Sequence, residues 1–169
     1  MVALQFADEQ SVVQTRFPTT LLALLRAHLG EDLARPIEQA GWALQAPLPE
    51  PAEQRTFLGQ GWAYGVAQEA ALKLREAAGA WTEAYPAMEY RHGPIRVTQP
   101  GRAVWVFGTA PPGLVEDARR TGGTVVDDDL DPLADLIRVQ RLAVALAQAQ
   151  GEDPDRPRHL TRSVILAPR

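Results

Sequence analysis

This chain of 169 residues contains no cysteine, so disulfides, thiolate metal sites and cysteine nucleophiles are all excluded. It has no long hydrophobic run: the most apolar stretch, LLALL at Leu21–Leu25, is far too short to cross a bilayer. The start, MVALQFADEQ, lacks the basic and apolar regions of a secretion signal, and a cytoplasmic location is expected. Basic charge is also short, with a net charge of −4, which gives no electrostatic footprint for nucleic acid or an anionic membrane. Lysine is nearly absent. Of the 17 basic residues, Lys73 alone is a lysine and the others are arginine.

What is present is ordinary for a globular domain with a real core: 46% hydrophobic and 22% charged residues. VALQF (Val2–Phe6) reads as a short strand. FPTTLLALLRAHLG reads as a helix stopped by Gly30, and a second helix is expected over Asp32–Leu44 with Pro36 in its first turn. The three prolines of APLPEPAEQ mark a loop. Strand patterns then follow at Arg55–Gly59, Ala103–Gly108 and Gly123–Asp127, with helical patterns at Trp62–Ala78, Gly113–Arg120 and Pro132–Gln150. The alternation predicts an α/β fold, a parallel sheet with helices on its faces. Val164–Leu166 could add a last strand.

Around Lys73 the pattern carries chemistry. Glu69, Lys73 and Glu76 share one helix face by their spacing. Spacing alone fits a solvated pair worth roughly 0.2–0.5 kcal/mol. Two features point elsewhere. The helix is Ala and Leu nearly all round, which suggests burial on several sides. An arginine-rich chain would use arginine for a plain surface pair, so the lone lysine is better explained by a compact point charge. A cation beside two carboxylates suits proton abstraction next to a carbonyl, with one carboxylate as base and the ammonium on the developing oxyanion. His92 in YRHGP adds a group able to move protons near neutral pH, though a single loop histidine is more often structural.

FLGQGWAYG is a strand, a Gly59-x-Gly61 turn and a helix start, a geometry able to bind an anion, but it lacks the third glycine of a dinucleotide fingerprint. DDDLDP could suggest a metal. It is better read as Asp131 capping a helix that begins at Pro132, so no metal and no cofactor is expected.

Taken together, FLGQGWAYGVAQEAALKLREAAGAWTEAYPAMEYRHGP and the later DPDRPRHLTRSV resemble the sugar isomerase (SIS) domain, and most closely the second SIS domain of two-domain sugar isomerases. EQSVVQTRFPTTLLALL resembles the join between the two domains. The resemblance implies a three-layer, Rossmann-like SIS domain over residues 51–169, with residues 1–50 as the end of a preceding SIS domain and its connecting helices. It implies a sugar-phosphate isomerase in which Glu76 is the base moving a proton between C1 and C2. Lys73 is then the cation stabilising the enediolate, Glu69 its neighbouring carboxylate, and His92 the ring-opening group, entering the site from the other subunit of a homodimer. Gln14, Thr15, Gly59, Gly61, Trp62 and Arg162 are the implied substrate-binding positions. Two of these depart from the pattern: Arg162 stands where the family has lysine, and Gln14 where it has a small serine. The Ser/Thr-rich phosphate loop of the first domain is also absent, since TAPPG follows Ala103–Gly108. The chain by itself is therefore expected to turn over little substrate. An aminosugar-phosphate deaminase or a fructosamine-type deglycase would use the same base, and a non-catalytic phosphosugar sensor is the alternative of another class.

Overall fold

The computed structural model describes residues 2–161. Arg162 and the expected strand at Val164–Leu166 lie outside the described residues. Four parallel strands form one sheet: β1 (Gln54–Gly59), β2 (Trp81–Pro86), β3 (Arg102–Phe107) and β4 (Thr124–Val126), in the order β2-β1-β3-β4. Five α-helices accompany them: α1 (Arg16–His28), α2 (Ala34–Ala43), α3 (Trp62–Ala78), α4 (Leu114–Arg120) and α5 (Pro132–Ala149).

The two central strands, β1 and β3, are buried on both faces, so their residues alternate between two cores. Phe57, Trp105 and Phe107 point to one side and pack with Val66, Ala70, Leu74, Val139 and Leu142 of α3 and α5. Leu58, Val104 and Val106 point to the other and meet Leu114 and Ala118 of α4, together with Tyr90. The three layers expected from the sequence are present. α2 then packs on the outside of α5, where Arg141 Nη1 donates to the carbonyls of Ala43 and Ala46 (2.8 and 2.7 Å) and ties the helix ends together.

Helix boundaries follow their stop signals. α1 ends before Gly30, whose φ of 87° suits only glycine, and α3 ends at Gly79 in the left-handed conformation. Asp131 caps α5 by accepting from the Leu133 N–H at 3.0 Å, with Pro132 in the first turn.

One expectation fails, and one strand was not foreseen. Val2–Phe6 is not a strand. A 3-10 turn covers Gln5–Ala7, in which Ala7 is buried and Phe6 is exposed. An apolar alternation cannot make a strand without an edge to pair with, and both sheet edges are formed by other segments. β2 was hidden in WTEAYP because it is an edge strand: Trp81 is exposed, Glu83 sits mid-strand, and only Thr82 is fully buried. Its hydrogen bonds to β1, not its apolar content, define it.

Candidate active site

Lys73 lies in the C-terminal half of α3 and is only 5% exposed, although it carries a charge. The flanking alanines are small enough for α3 to approach both the sheet and α5 closely, which leaves the lysine stem in a nearly closed layer. Its ammonium is held by two carboxylates, at 2.6 Å from Glu76 Oε2 and 3.5 Å from Glu69 Oε1. Each carboxylate keeps about a quarter of its side chain in solvent. The solvated-pair reading is thereby set aside, because the cation is inside and only the anions reach out. Burial pushes the Glu69 carboxyl above its ordinary value; Lys73 opposes this, and the negative Glu76 adds to it. One face of α3 therefore holds a carboxylate, a cation and a second carboxylate reluctant to ionise. Such an arrangement is chemically suited to taking up and releasing a proton beside a fixed positive charge.

A cavity of about 80 Å³ borders Lys73. Its walls are Glu9, Ser11, Val13 and Thr15 from the segment before α1, Gln140 and Val144 from α5, and Pro154 and Asp155 after α5. The segment is shaped by its own carboxylate. Glu9 accepts from the Thr15 N–H (2.9 Å), the Thr15 hydroxyl (2.9 Å) and the Phe17 N–H (2.8 Å), closing a ring over the start of α1. Burial works against the Glu9 charge, but hydrogen bonds from the backbone of Phe17, Arg16 and Thr15 outweigh it and lower its pKa. The Val12 N–H donates to the Asp155 carbonyl at 3.2 Å, so the segments before α1 and after α5 meet at the cavity.

The structure thus brings Glu69, Lys73, Glu76 and Thr15 into one neighbourhood, with Gln14 next in the chain. Other expected positions lie elsewhere. Gly59, Gly61 and Trp62 sit at the opposite end of α3, about 16 Å from Lys73 along the axis by the ~1.5 Å rise per residue. There the glycines are needed for the turn. A Cβ on Gly59 would lie 2.3 Å from the Ala63 carbonyl oxygen, and Gly61 adopts φ 54°. The Trp62 ring is covered by the Arg26 guanidinium at 4.7 Å. Gln60 bridges this turn to the Thr109 carbonyl at 2.9 Å, across the crevice where parallel sheets usually bind ligands. His92 is exposed, in a 3-10 turn beside the buried Tyr90, whose core lies on the sheet face opposite α3. Within one chain it does not join Lys73. Glu9, Ser11 and Asp155 were missed by sequence reasoning. The available signal was a glutamate a few residues ahead of a helix start that has no capping side chain of its own. Among the described residues no cluster of His, Asp and Glu is arranged to hold a metal ion, and no helix is long and apolar enough to cross a membrane.

No model of a known protein family matches the chain. Curated relatives do. The glutamine–fructose-6-phosphate aminotransferase (isomerizing) of Synechocystis is 34% identical over an alignment covering 77% of this chain and 26% of that protein. The enzyme of the same name from Aeropyrum pernix is 34% identical over 72% of this chain and 24% of its own length. The chain thus spans about a quarter of the length of these relatives. Among solved structures, glucosamine-6-phosphate deaminase from Thermotoga maritima superposes with a TM-score of 0.76 at 25% identity, over 94% of this chain and 59% of that one. Tagatose-6-phosphate ketose/aldose isomerase from Escherichia coli shares the fold, with a TM-score of 0.73 at 18% identity over 95% of this chain and 55% of that one. Fold, motif order and relatives agree: this chain is similar to the isomerase domains of the glutamine–fructose-6-phosphate aminotransferases, and its structural neighbours are SIS-domain phosphosugar isomerases and deaminases.

Proposed function

We propose that the chain supplies the acid–base half of a sugar-phosphate aldose–ketose isomerase site. The observation that carries this reading is the buried Lys73 ammonium between two partly exposed carboxylates at the edge of a cavity. Glu76, paired with Lys73, removes the C2 proton of an open-chain aldose phosphate. The C–H electrons form the C1–C2 double bond, and the carbonyl electrons move onto O1. Lys73 stabilises the enediolate oxygen. The proton on Glu76 then returns to C1, while the O2 proton passes to O1, giving the ketose. Glu69 holds the lysine in place. His92 of a second subunit opens the sugar ring, since within one chain it stands on the other sheet face. Thr15, on the cavity wall, and Gln14 beside it in the chain are assigned to substrate binding, as is Arg162 from the sequence pattern alone; the glycine turn at Gly59–Gly61 with Trp62, at the far end of α3, is assigned to a separate part of the substrate.

In this proposal residues 1–50 are the end of a preceding SIS domain with its connecting helices, residues 51–169 are the second domain, and the protein is cytoplasmic. The likeness to a glucosamine-6-phosphate deaminase supports a second reading. The same base would then act while an amine leaves C2. The test is an assay of a protein containing this chain on sugar phosphates in deuterated water, with ammonia measured in parallel. Solvent deuterium in the product without ammonia supports the isomerase, and stoichiometric ammonia supports the deaminase. Turnover that survives Glu76→Gln would overturn both.

A further inference from the structure

The Lys73 cavity is too small for the substrate that its chemistry implies. Its volume of about 80 Å³ leaves room for the reacting carbons, whereas small-molecule sites enclose roughly 300–1,000 Å³. More room adjoins it. Thr15, Gln140 and Val144 wall this cavity and also border a broad groove of about 490 Å³ on the outer side of α5. Where the two spaces meet, Gln140 Nε2 donates to the Thr15 carbonyl at 3.4 Å. α5 turns Ala143 to the cavity and Ile137, Arg141, Ala145 and Gln148 to the groove, the last four at the i, i+4, i+8, i+11 spacing of one helical stripe. Leu44 and Leu48, just after α2, complete the groove wall.

Among the described residues, Arg141 is the only charged one that lines the groove, and it forms no ion pair with them. Arg138, one turn earlier on α5, is by contrast paired with Asp128 and Asp135. Arg141 Nη1 is anchored on the carbonyls of Ala43 and Ala46 (2.8 and 2.7 Å), which fixes the plane of the guanidinium. The donors on Nε and Nη2 have no protein acceptor among the described residues and remain available to a ligand. We infer that Arg141 holds the phosphate of the sugar phosphate whose C1 and C2 lie at Lys73. The phosphate is at the far end of the open chain from the reacting carbons, so it must lie beyond the small cavity. A guanidinium fork matches two phosphate oxygens, and one already anchored loses little freedom on binding. Gln140, Gln148 and Thr15 offer polar groups to the hydroxyls between. Binding energy won at this remote end can be used at the reacting centre. Arg141 thereby supplies a phosphate ligand in a chain whose loop after β3, TAPPG, is poor in hydroxyls. The inference rests on the isomerase reading of Lys73 and adds the place of the substrate's other end.

The test is titration calorimetry of the 169-residue chain with glucitol 6-phosphate, an open-chain polyol phosphate that needs no ring opening and has no carbonyl to react. Glucitol and inorganic phosphate are the comparison ligands, and circular dichroism checks folding. Glucitol 6-phosphate should bind more tightly than either. Arg141→Lys, which loses the fork, should weaken it by at least about tenfold, as expected for one lost hydrogen bond to a charged group. Because Arg141 also ties α2 to α5, the exposed Gln148 gives a second readout. Gln148→Glu should weaken binding and Gln148→Lys should tighten it, opposite changes that a merely structural role would not produce. No binding of glucitol 6-phosphate, or binding indifferent to all three substitutions, would overturn the assignment. Inorganic phosphate binding as tightly as glucitol 6-phosphate would also overturn it, by marking an anion site cut off from Lys73. Turnover that survives Glu76→Gln would instead sink the isomerase reading and leave the Arg141-dependent binding standing.

Discussion

Helices α3 and α5 pack against each other, and each buries a cation among carboxylates. On α5, Arg138 bonds Asp135 at 3.2 Å and also Asp128, with its guanidinium 5.1 Å from the Trp105 ring and 5.4 Å from the Trp42 ring. Asp135 is almost wholly buried and accepts from Trp105 Nε1 at 2.6 Å. On α3, Lys73 has two carboxylates, no aromatic cover, and a cavity beside it. In the first cluster indole rings cover the Arg138 cation, Asp135 is buried and Asp128 reaches solvent, and the cluster joins α5 to the sheet. In the second both carboxylates reach solvent and a cavity borders the cation. A cation covered by rings specifies packing, and one beside a cavity can meet a ligand.

That contrast can be broken by experiment, the largest expected effect first. Glu76→Gln keeps shape and hydrogen bonding but removes the proposed base. Where wild type turns over, the rate should fall about 10²–10⁴-fold with little change in melting temperature. An equal loss of rate and of stability would make the α3 cluster structural, like its neighbour. Arg138→Ala should do the reverse, stranding the buried Asp135. Denaturant titration should show a loss of about 3–5 kcal/mol, as when one partner of a buried pair is removed. A loss below 1 kcal/mol would show the α5 cluster to be as open as the α3 one.

The third effect is a pH dependence. Burial raises Asp135 from its ordinary 3.8 to about 6, with the Trp105 N–H and Arg138 offsetting part of the shift. The folded chain therefore favours the protonated carboxyl. The associated stability is fully present below about pH 4 and is lost as the pH rises through about 6. It should amount to at most about 3 kcal/mol, from ~1.4 kcal/mol per pKa unit. Asp135→Asn, which mimics the protonated form, should abolish this slope in urea titrations run from pH 4 to pH 7. An identical slope in both proteins would mean that Asp135 is charged throughout.

The smallest effect is the most selective. Lys73→Arg preserves charge but replaces a compact ammonium with a planar fork. Turnover should drop roughly tenfold, about 1.4 kcal/mol of barrier, with an unchanged melting temperature. Full activity in this variant would remove the reason for a lone lysine in an arginine-rich chain.

Much of this was legible from local patterns. The helices over Trp62–Ala78 and Pro132–Ala149 declared themselves by periodicity and by Gly79 and Pro132 at their ends. The Glu69–Lys73–Glu76 face followed from helical spacing alone. β2 was not legible, because an edge strand needs only one covered face and a partner's backbone. Val2–Phe6 was misread for the complementary reason: apolar alternation is necessary for a buried strand but does not supply the edge it pairs with. Glu9 and Asp155 escaped notice because nothing in a linear reading brings the segments before α1 and after α5 to the same lysine.

The sequence by itself determined the α/β alternation, the helix ends and the three charges on one face, since each depends on interactions within a few residues. Only the tertiary structure decided that Lys73 is buried while its carboxylates are not, because burial depends on how closely the alanine-lined α3 approaches α5 and the sheet. It also separated two chemically similar clusters. Asp135 and Glu69 are both carboxylates one helical turn from a cation, and the indoles of Trp42 and Trp105, distant in sequence, cover the cation of the α5 cluster. Long-range packing sets the local dielectric and the access of water, and neither is written in spacing.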